Sequence, residues 1–528
     1  MSIRRSGRLR RATLRDAGAG RARAAAAALV ALAALASLAI ASGARAAATA
    51  EVADAAMRGD HVELRALLEH GADVNAAQGD GMTALHWAAV NADLDVARWL
   101  VYAGANVHAT TRLNAITPLW LAAQSSDALL VRLLLDNKAE PDAATMAGVT
   151  PLMIASASGN PGAVSLLIEH GADPNAKENT YGQTPLIFAA AYNRPDAIAV
   201  LLEHGANVGA ATRIRESPRP VASSAANDGE PMGGLTALHY AVRQGSVEAV
   251  DALLDKGADV NAVSADHTTA LMLATINGRF DLARHLLERG ADPRIATLAG
   301  GTPLYRVVDV QWAPKSLYPQ PPDARQQQTT YLELMKNLLE RGADPNARLG
   351  KALWYTRYGL ALDGNDPAGA TPFWRAAEVG DVEAMRLLVA HGAEPSIKTT
   401  EGVSPFMVLA GAGYRGGDAV TAPAGRMPAL RYLVEELGAN VNETDEVAGA
   451  SKKGGRPSTR GYTPIHDAAA RGDNEMILYL VSKGARVDLV GKNRVTAVDM
   501  ASAPRDGGAP SAETIKLLES LGAKSSHR

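Results

Sequence analysis

The chain of 528 residues contains no cysteine and few aromatic residues, since Trp, Tyr and Phe make up only 4% of the sequence. The lack of cysteine excludes disulfide bonds, thiolate metal sites and a cysteine nucleophile. Because aromatic side chains are scarce, we expect a core built from Leu, Ala, Val and Ile. The sequence also lacks His-Glu-x-x-His, Gly-x-Ser-x-Gly and phosphate-loop motifs. It therefore carries no catalytic or nucleotide-binding signature of these kinds.

What the sequence does contain is an internal repeat. Eleven times a Ser or Thr is followed by Pro or Ala and then by an apolar residue, and most successive starts lie 33 or 34 residues apart. A fixed period of this length predicts a stack of small units that bury their apolar faces only against one another. Three longer gaps interrupt the period. The starts are Thr83, Thr117, Thr150, Thr184, Thr236, Thr269, Thr302, Thr371, Ser404, Thr463 and Thr496.

Each unit predicts two helices. The hydroxyl of the starting Ser or Thr suits the N-cap of a first helix, and a following Pro lacks the N–H that would remain unpaired there. A second apolar run follows, as in residues 164–168, and it ends in a Gly that suits a left-handed helix terminus. The terminating glycines are Gly71, Gly104, Gly171, Gly205, Gly257, Gly290, Gly342, Gly392, Gly438, Gly484 and Gly522.

The unit resembles an ankyrin repeat. Residues 236–241, with the sequence TALHYA, are similar to the opening of that repeat, and residues 257–262, GADVNA, are similar to its end. The resemblance extends from about Glu51 to Ala523. It implies an all-α ankyrin-repeat solenoid of about twelve helix-turn-helix units, with β-turn fingers and several loop insertions. It also implies a non-catalytic protein that binds other proteins on its concave face.

Several residues depart from the family pattern, among them Ala270 and Ala497, which stand where Pro is usual. Lys138 stands where the terminating Gly is expected, and Asp499 stands where His is usual, so we expect local weakening there. We predict a signal peptide over residues 1–46 and a repeat domain over residues 47–528. The predicted repeats lie near residues 51–82, 83–116, 117–149, 150–183, 184–235, 236–268, 269–301, 302–370, 371–403, 404–462, 463–495 and 496–528.

Residues 1–46 have the features of an export signal. They hold nine arginines and one acidic residue, residues 24–41 carry no charge, and Ala44-Arg45-Ala46 provides small residues at signal-peptidase spacing. We therefore expect an exported protein, periplasmic or secreted, of the bacterial type. The alternatives are an uncleaved N-terminal membrane anchor, for which this alanine-rich run is weakly apolar, and a mitochondrial transit peptide. Both Sec and twin-arginine export stay open.

The charge of the chain depends on this segment. The whole sequence has 53 basic and 56 acidic residues, for a net charge of −3. Without residues 1–46 it has 44 basic and 55 acidic residues, for a net charge of −11. An acidic protein does not neutralise phosphates, so we expect no nucleic acid partner. We expect one or more protein partners, a monomer, and no stable membrane insertion after cleavage of the signal.

The polar residues that recur in the repeats have structural interpretations. His86, His239 and His466 occupy a helix-capping position, whereas His70, His170, His204 and His391 precede a terminating Gly, where imidazole suits a helix C-terminus. Asp73, Asp173, Asp259, Asp292 and Asp344 recur at one turn, which indicates turn formation and not a calcium site. We predict no catalytic residue, cofactor or metal site.

The three longer gaps predict insertions, some between the two helices of a unit and some in the fingers. Long insertions in repeat proteins often lie at the binding face. Residues 211–234 and the basic stretch near residue 452 have the composition of solvated linkers. Residues 302–370 are rich in aromatic residues, which either pack on the scaffold or anchor a partner. These residues are Tyr305, Trp312, Tyr318, Tyr331, Trp354, Tyr355 and Tyr358.

From these insertions we predict a protein-binding site formed by Trp354, Tyr355, Tyr358, Lys452, Lys453 and Arg456. Two other functions stay open. One is a secreted effector that binds another cell's proteins. The other is an envelope enzyme or carbohydrate-binding protein whose site is built from the insertions, with Trp354 and Tyr358 as stacking platforms and Asp363 or Asp366 as acids.

We predict that export removes residues 1–46, so that the mature chain begins near Ala47 or Ala48. Intact-mass measurement on protein isolated from the native envelope tests this expectation. A chain that still carries Met1 and sediments with membranes would contradict cleavage and favour the anchor.

Overall fold

The computed structural model describes residues 50–216, 231–312, 326–351, 367–412, 422–445, 461–491, 494–503 and 510–526. These residues divide into two compact units. The first unit comprises the chain up to Ala155 together with Ser165–Asp173, and the second comprises Ser156–Val164 and the chain from Pro174 onward. The division passes through the fourth repeat.

The described residues form twelve successive helix pairs. They contain three isolated β-bridges and no strand. The pairs are α1 (Glu51–Arg58) and α2 (His61–Glu69), α3 (Ala84–Val90) and α4 (Leu94–Tyr102), α5 (Pro118–Ser125) and α6 (Ala128–Asp136), α7 (Pro151–Ser158) and α8 (Pro161–Glu169), α9 (Pro185–Ala191) and α10 (Pro195–Glu203), α11 (Ala237–Gln244) and α12 (Val247–Asp255), α13 (Ala270–Ile276) and α14 (Phe280–Glu288), α15 (Pro303–Gln311) and α16 (Tyr331–Glu340), α17 (Pro372–Val379) and α18 (Val382–Ala390), α19 (Pro405–Ala410) and α20 (Arg426–Arg431), α21 (Pro464–Arg471) and α22 (Asn474–Ser482), and α23 (Ala497–Ser502) and α24 (Ala512–Ser520).

The first helices begin where the sequence predicts. In α5 the Trp120 N–H donates to the Thr117 hydroxyl over 3.2 Å, and in α17 the Trp374 N–H donates to the Thr371 hydroxyl over the same distance. In α3, α11 and α21 the starting Thr forms a capping box with a His three residues later. The predicted all-α fold of about twelve helix pairs is therefore confirmed, and residues 51–69 form a complete first pair.

Helices of neighbouring pairs pack on one another within each unit. In the first unit α1 contacts α3, α3 contacts α5, and α4 contacts α6. In the second unit the first helices form a series in which α9, α11, α13, α15, α17, α19, α21 and α23 each contact the next. Many of the buried residues are Leu and Ala, among them Leu85, Leu238 and Leu253, and the rest include Val, Ile, Met, Phe and Trp. The apolar core thus runs from pair to pair.

An asparagine side chain joins the turns of neighbouring pairs. The Asn346 amide donates to Gly392 O over 2.9 Å, and its Oδ1 accepts from the Glu394 N–H at 2.8 Å. Because the amide satisfies a donor and an acceptor of the next turn, it fixes the spacing of the pairs. The turn asparagines whose side chain makes both of these hydrogen bonds are Asn75, Asn175, Asn261, Asn346 and Asn442.

The second helices end in the left-handed conformation. Gly342 has a φ of 91°, and Lys138 has a φ of 71° at the equivalent position. A side chain with a Cβ is disfavoured there by about 1 kcal/mol, which fits the weakening expected from the departure at Lys138. The helix end is still closed, because the Lys138 N–H donates to Leu135 O.

The insertions lie where the period breaks. Residues 312–330 separate α15 from α16, and residues 411–425 separate α19 from α20. The interpretation of residues 211–234 as a linker is wrong at both ends. Arg215 and Met232 exchange two backbone hydrogen bonds of 2.8 Å, so residues 211–216 and 231–235 form the base of an antiparallel hairpin. Composition alone misled here, since Pro and Gly also occur in paired loops.

In the part of the chain that the structure describes, no helix is both long enough and apolar enough to cross a bilayer.

We predict that Leu253→Asp lowers the free energy of unfolding by at least about 3 kcal/mol, because it places an unpaired charge between α11 and α12. Leu478→Asp is the matched control: Leu478 is half exposed on α22, and we expect a loss below about 1 kcal/mol. Urea titration followed by circular dichroism measures both variants. Equal losses would contradict a core at Leu253.

Candidate functional site

Backbone hydrogen bonds join the fingers of the second unit in a ladder. The Arg213 N–H donates to Tyr181 O over 2.7 Å, the Ala265 N–H to Gly233 O over 3.0 Å, and the Leu298 N–H to Asp266 O over 3.0 Å. The Gly350 and Thr400 N–H groups continue the ladder, each over 2.8 Å. Each finger is therefore held by the one before it, and the spacing of the finger tips is set by the backbone.

The fingers of the first unit are joined in the same way. The Arg112 N–H donates to Asp80 O over 2.8 Å, and the Met146 N–H donates to Asn114 O over 3.0 Å. Within a finger, the side chain of Thr111 closes the loop, since its hydroxyl donates to Leu113 O and accepts from the Ile116 N–H. The loop tips are thus ordered by their own hydrogen bonds.

The tips of these ordered fingers expose large apolar side chains. In the first unit Leu113 is 68% exposed and Met146 is 73% exposed. In the second unit the exposed fractions are 44% for Tyr181, 62% for Ile214 and 50% for Leu298. Loops usually carry small or polar residues at such positions. Binding residues occur preferentially on loops that a rigid scaffold positions, which makes these side chains candidates for contact with a partner. We call these five residues the finger-tip residues.

The hairpin of residues 211–216 and 231–235 carries cationic side chains beside the apolar tips. The Arg215 guanidinium lies 4.8 Å from the centre of the Tyr181 ring, a cation–π contact. The Arg213 Nη1 donates to Asn179 O over 2.9 Å. Both arginines are exposed. The hairpin therefore presents aromatic, aliphatic and cationic groups together.

In each first helix, the fourth residue after the starting Ser or Thr lies next to a finger. The Tyr240 hydroxyl accepts from Gln183 Nε2 at 2.8 Å, and the Trp87 Nε1 donates to Gln78 Oε1 over 2.8 Å, in both cases a finger residue. In the second unit this position is apolar or aromatic in α9, α11 and α13. It is Arg306 in α15 and Arg375 in α17.

Arg306 and Arg375 belong to a buried ionic network. Asp309 bonds to Arg306, and its other oxygen accepts from Arg375 Nε at 3.0 Å. Arg375 also donates from Nη1 to Glu378 over 2.6 Å. The first three of these residues are buried. A buried carboxylate between two guanidiniums holds α15 against α17, because each buried charge is stable only while it is paired with a charge of opposite sign.

Asp381 holds both ends of the insertion that follows α15. Trp312 Nε1 donates to Asp381 Oδ2 over 2.7 Å, and Trp312 packs edge-to-face on Tyr331 with the ring centres 5.9 Å apart. Burial and hydrogen bonding to Asp381 raise the pKa of the Tyr331 hydroxyl well above its ordinary value. Tyr305 is also buried. These three aromatic residues of the region pack on the scaffold.

The histidines have the predicted structural roles. His239 Nδ1 accepts from the Thr236 N–H at 3.2 Å, and its Nε2 lies 3.0 Å from Thr268 O. Burial lowers the pKa of His86 and of His239, so both rings are held neutral. His70, His170, His204 and His391 each bond through Nδ1 to a carbonyl of the helix that they follow or end.

The side chains of the recurring turn aspartates accept hydrogen bonds from backbone N–H groups of the same turn. The Asn75 N–H donates to Asp73, and the Asn346 N–H donates to Asp344, over 2.9 and 2.8 Å. The prediction of turn formation is confirmed for Asp73, Asp259, Asp292 and Asp344, whose side chains accept from the N–H two residues later. Within the described ranges, no three His, Asp or Glu side chains are arranged to hold a metal ion.

The predicted binding residues lie outside the described residues. Trp354, Tyr355 and Tyr358 fall in residues 352–366, and Lys452, Lys453 and Arg456 fall in residues 446–460. Tyr318, Asp363 and Asp366 also lie outside the described residues. A protein-binding role for the first six stays a prediction.

Sequence reasoning missed the finger-tip residues. A signal was present, because Leu113, Met146 and Leu298 each precede the next starting Thr by four residues, and Tyr181 precedes it by three. An apolar residue at a fixed offset in a turn marks a finger tip. Ile214 carries no such signal, since the hairpin shifts it away from the offset.

Family profiles for ankyrin repeats match more than half of the chain. The profile described as "Ankyrin repeats (3 copies)" matches residues 103–178, 119–212 and 221–297. The profile "Ankyrin repeats (many copies)" matches residues 52–101, and the profile "Ankyrin repeat" matches residues 368–400 and 460–492.

Several curated proteins are similar to parts of the chain. "Ankyrin repeat and SAM domain-containing protein 6" of Danio rerio is 30% identical over 172 residues, which are 30% of this chain and 22% of that protein. "Putative palmitoyltransferase ZDHHC13" of Danio rerio is 28% identical over 266 residues, 49% of this chain and 31% of that protein. Inversin of Mus musculus is 40% identical over 85 residues, 16% of this chain and 8% of that protein. The chain spans less than a third of the length of each.

A solved structure, the human ASB11 ankyrin repeat domain, is also similar. It is 27% identical in sequence, with 46% of this chain and 98% of that chain covered and a TM-score of 0.39.

We predict that Asp309→Leu lowers the free energy of unfolding by about 3 kcal/mol, because it leaves two buried guanidiniums without their shared carboxylate. Glu436→Leu is the matched control. It breaks the exposed pair of Glu436 with Arg386, and we expect a much smaller loss because solvent screens that pair. Urea unfolding measures both variants.

A triple replacement of Arg306, Asp309 and Arg375 by Met, Leu and Met tests the same explanation. It removes the buried charges together, so we expect it to recover most of the stability that Asp309→Leu loses. Asp309→Leu behaving like Glu436→Leu would show that the network does not hold α15 and α17 together.

Proposed function

Since the chain belongs to the ankyrin repeat family, we propose that it is a non-catalytic protein-protein interaction scaffold or adaptor that acts in the cell envelope or outside the cell. Ankyrin repeats themselves indicate a scaffold that binds proteins. The observation that supports this role most directly is the set of finger-tip residues. They are exposed apolar side chains on fingers that hydrogen-bond to their neighbours.

Ordered fingers favour binding for an entropic reason. Association loses free energy when loops and side chains must be fixed at the interface. The finger backbones are already fixed by the ladder from Arg213 to Thr400 in the second unit. Apolar tips on such a frame bury their area against a partner with little further ordering. An adaptor that holds several partner surfaces at set distances uses these properties.

The location is proposed from the sequence. Residues 1–46 have the composition of an export signal, and the remaining chain is acidic and free of cysteine. Both periplasmic and secreted locations fit the signal, and an uncleaved segment would anchor the repeats at a membrane instead. A secreted effector that binds another cell's proteins would use the same finger-tip residues. The palmitoyltransferase in the name of one relative describes that protein, of which the alignment covers 31%.

We predict that replacing the five finger-tip residues by Asp reduces partner capture at least tenfold without lowering the melting temperature. The full chain with a C-terminal tag is cross-linked in its native cells, captured and analysed by mass spectrometry. The expected loss follows from placing charges where apolar area is buried in the complex.

The control is a variant with Asp at Val62, Leu129 and Leu478. These side chains are 83%, 59% and 50% exposed on second helices, away from the fingers. It matches the chemistry of the change and should keep the captured proteins. If the control loses them as well, or if the finger-tip variant keeps them, the finger tips are not the binding surface.

A further inference from the structure

The finger hairpin has a composition that selects one kind of partner. We define the hairpin cluster as Tyr181, Arg213, Ile214 and Arg215. It joins two exposed guanidiniums to an exposed aromatic ring and an exposed aliphatic side chain. Tyr and Arg are enriched among residues that dominate binding energy.

The two guanidiniums of the cluster are available to a ligand. Within the part of the chain that the structure describes, neither Arg213 nor Arg215 forms an ion pair. Two arginines of other turns are paired, since Arg294 pairs with Asp292 at 2.8 Å and Arg486 pairs with Asp488 at 2.9 Å. In each of these pairs, an Asp two residues away in the sequence neutralises the Arg. The hairpin cluster keeps its positive charge for a partner.

Three charged residues adjoin the cluster along the described part of the chain. Glu216 is exposed next to Arg215, and Lys177 is exposed on the neighbouring finger. Glu178 is buried, and its carboxylate accepts from the Thr180 and Tyr181 N–H groups, each over 2.6 Å. It therefore holds the loop instead of pairing with the arginines. Among the residues that the structure describes, this surface is left with three cationic groups and one anionic group, on a chain that is acidic after residue 46.

The cluster is also held in a fixed shape. Arg213 bonds to the preceding finger through its backbone N–H and through Nη1. Gly233, opposite it, has a φ of 101°, and a Cβ there would lie 2.1 Å from Arg213 O. The two paired segments of the hairpin thus approach as closely as Gly alone permits. The arginines are presented without further ordering of the backbone.

We infer that the hairpin cluster binds an acidic segment of a partner protein in which Asp or Glu residues stand next to an aromatic or aliphatic residue. The inference rests on the proposed scaffold function and names the partner chemistry of one part of that surface. Carboxylates pair with Arg213 and Arg215, which suits the planar guanidinium. The adjacent apolar residue packs on Ile214 and on the Tyr181 ring. Nucleic acid is disfavoured because the rest of the chain repels phosphates.

The test uses the full chain, immobilised by a C-terminal tag, and biolayer interferometry with four probes. The probes are a copolymer of Glu and Tyr, poly-Glu, a copolymer of Lys and Tyr, and single-stranded DNA. We expect the Glu and Tyr copolymer to bind more tightly than poly-Glu, and we expect its binding to weaken as salt increases. The Lys and Tyr copolymer should not bind.

Two variants assign the binding to the cluster. Arg213→Gln with Arg215→Gln should weaken binding of the Glu and Tyr copolymer at least tenfold at unchanged melting temperature. Arg294→Gln with Arg486→Gln is the matched control and should bind as the parent does. Ile214→Ala should weaken binding of the copolymer and leave that of poly-Glu unchanged, which separates the apolar contact from the charge.

Several results would overturn the inference: no binding of the Glu and Tyr copolymer, equal binding by the cluster and control variants, or preference for single-stranded DNA or for the Lys and Tyr copolymer. If these occur while the finger-tip variant still loses its captured proteins, the scaffold function stands and the acidic partner is wrong. If the finger-tip variant keeps its captured proteins, the finger tips are not the binding surface, and if the parent chain captures no protein, the scaffold function itself fails.

Discussion

A helix pair of this chain has apolar faces on both sides and no interior of its own. Each pair is stable only because its neighbours cover those faces, as α9 and α13 cover α11. The Leu and Ala side chains between pairs are the common cause of the other features. Helix caps, turn asparagines and the finger ladder all act at fixed positions because this packing repeats. The surface that the fingers present is therefore a product of the core.

The features that could be predicted from the sequence are those decided within one repeat. Thr236 and His239 lie three residues apart, and their capping contact needs no other part of the chain. The turn aspartates and the terminating glycines are equally local, so their recurrence at a fixed offset was sufficient. The count of helix pairs followed from the same offsets. Even Lys138 keeps the left-handed backbone that its position requires.

The features that could not be predicted depend on residues far apart in the sequence. Asp309 and Arg375 are separated by an insertion that breaks the period, and their contact exists only because α15 packs on α17. The hairpin at Arg215 and Met232 was mistaken for a linker because its Pro and Gly content suggested one. The exposure of the finger-tip residues likewise depends on how neighbouring turns stack. The composition of an insertion does not show which of its backbone groups will pair, and that pairing determines its structure.

The hydrogen-bond ladder between the fingers makes the structure of the frame largely independent of the identity of the exposed tip residues. Met146, Tyr181 and Leu298 take part in it through backbone groups, although the Arg213 side chain adds a bond to Asn179 O. The core is likewise indifferent to what the tips carry. Selection, or an engineer, can therefore exchange one tip after another while the frame stays the same. On such a surface, substitutions at the finger tips can change the partner that is bound while the fold stays the same.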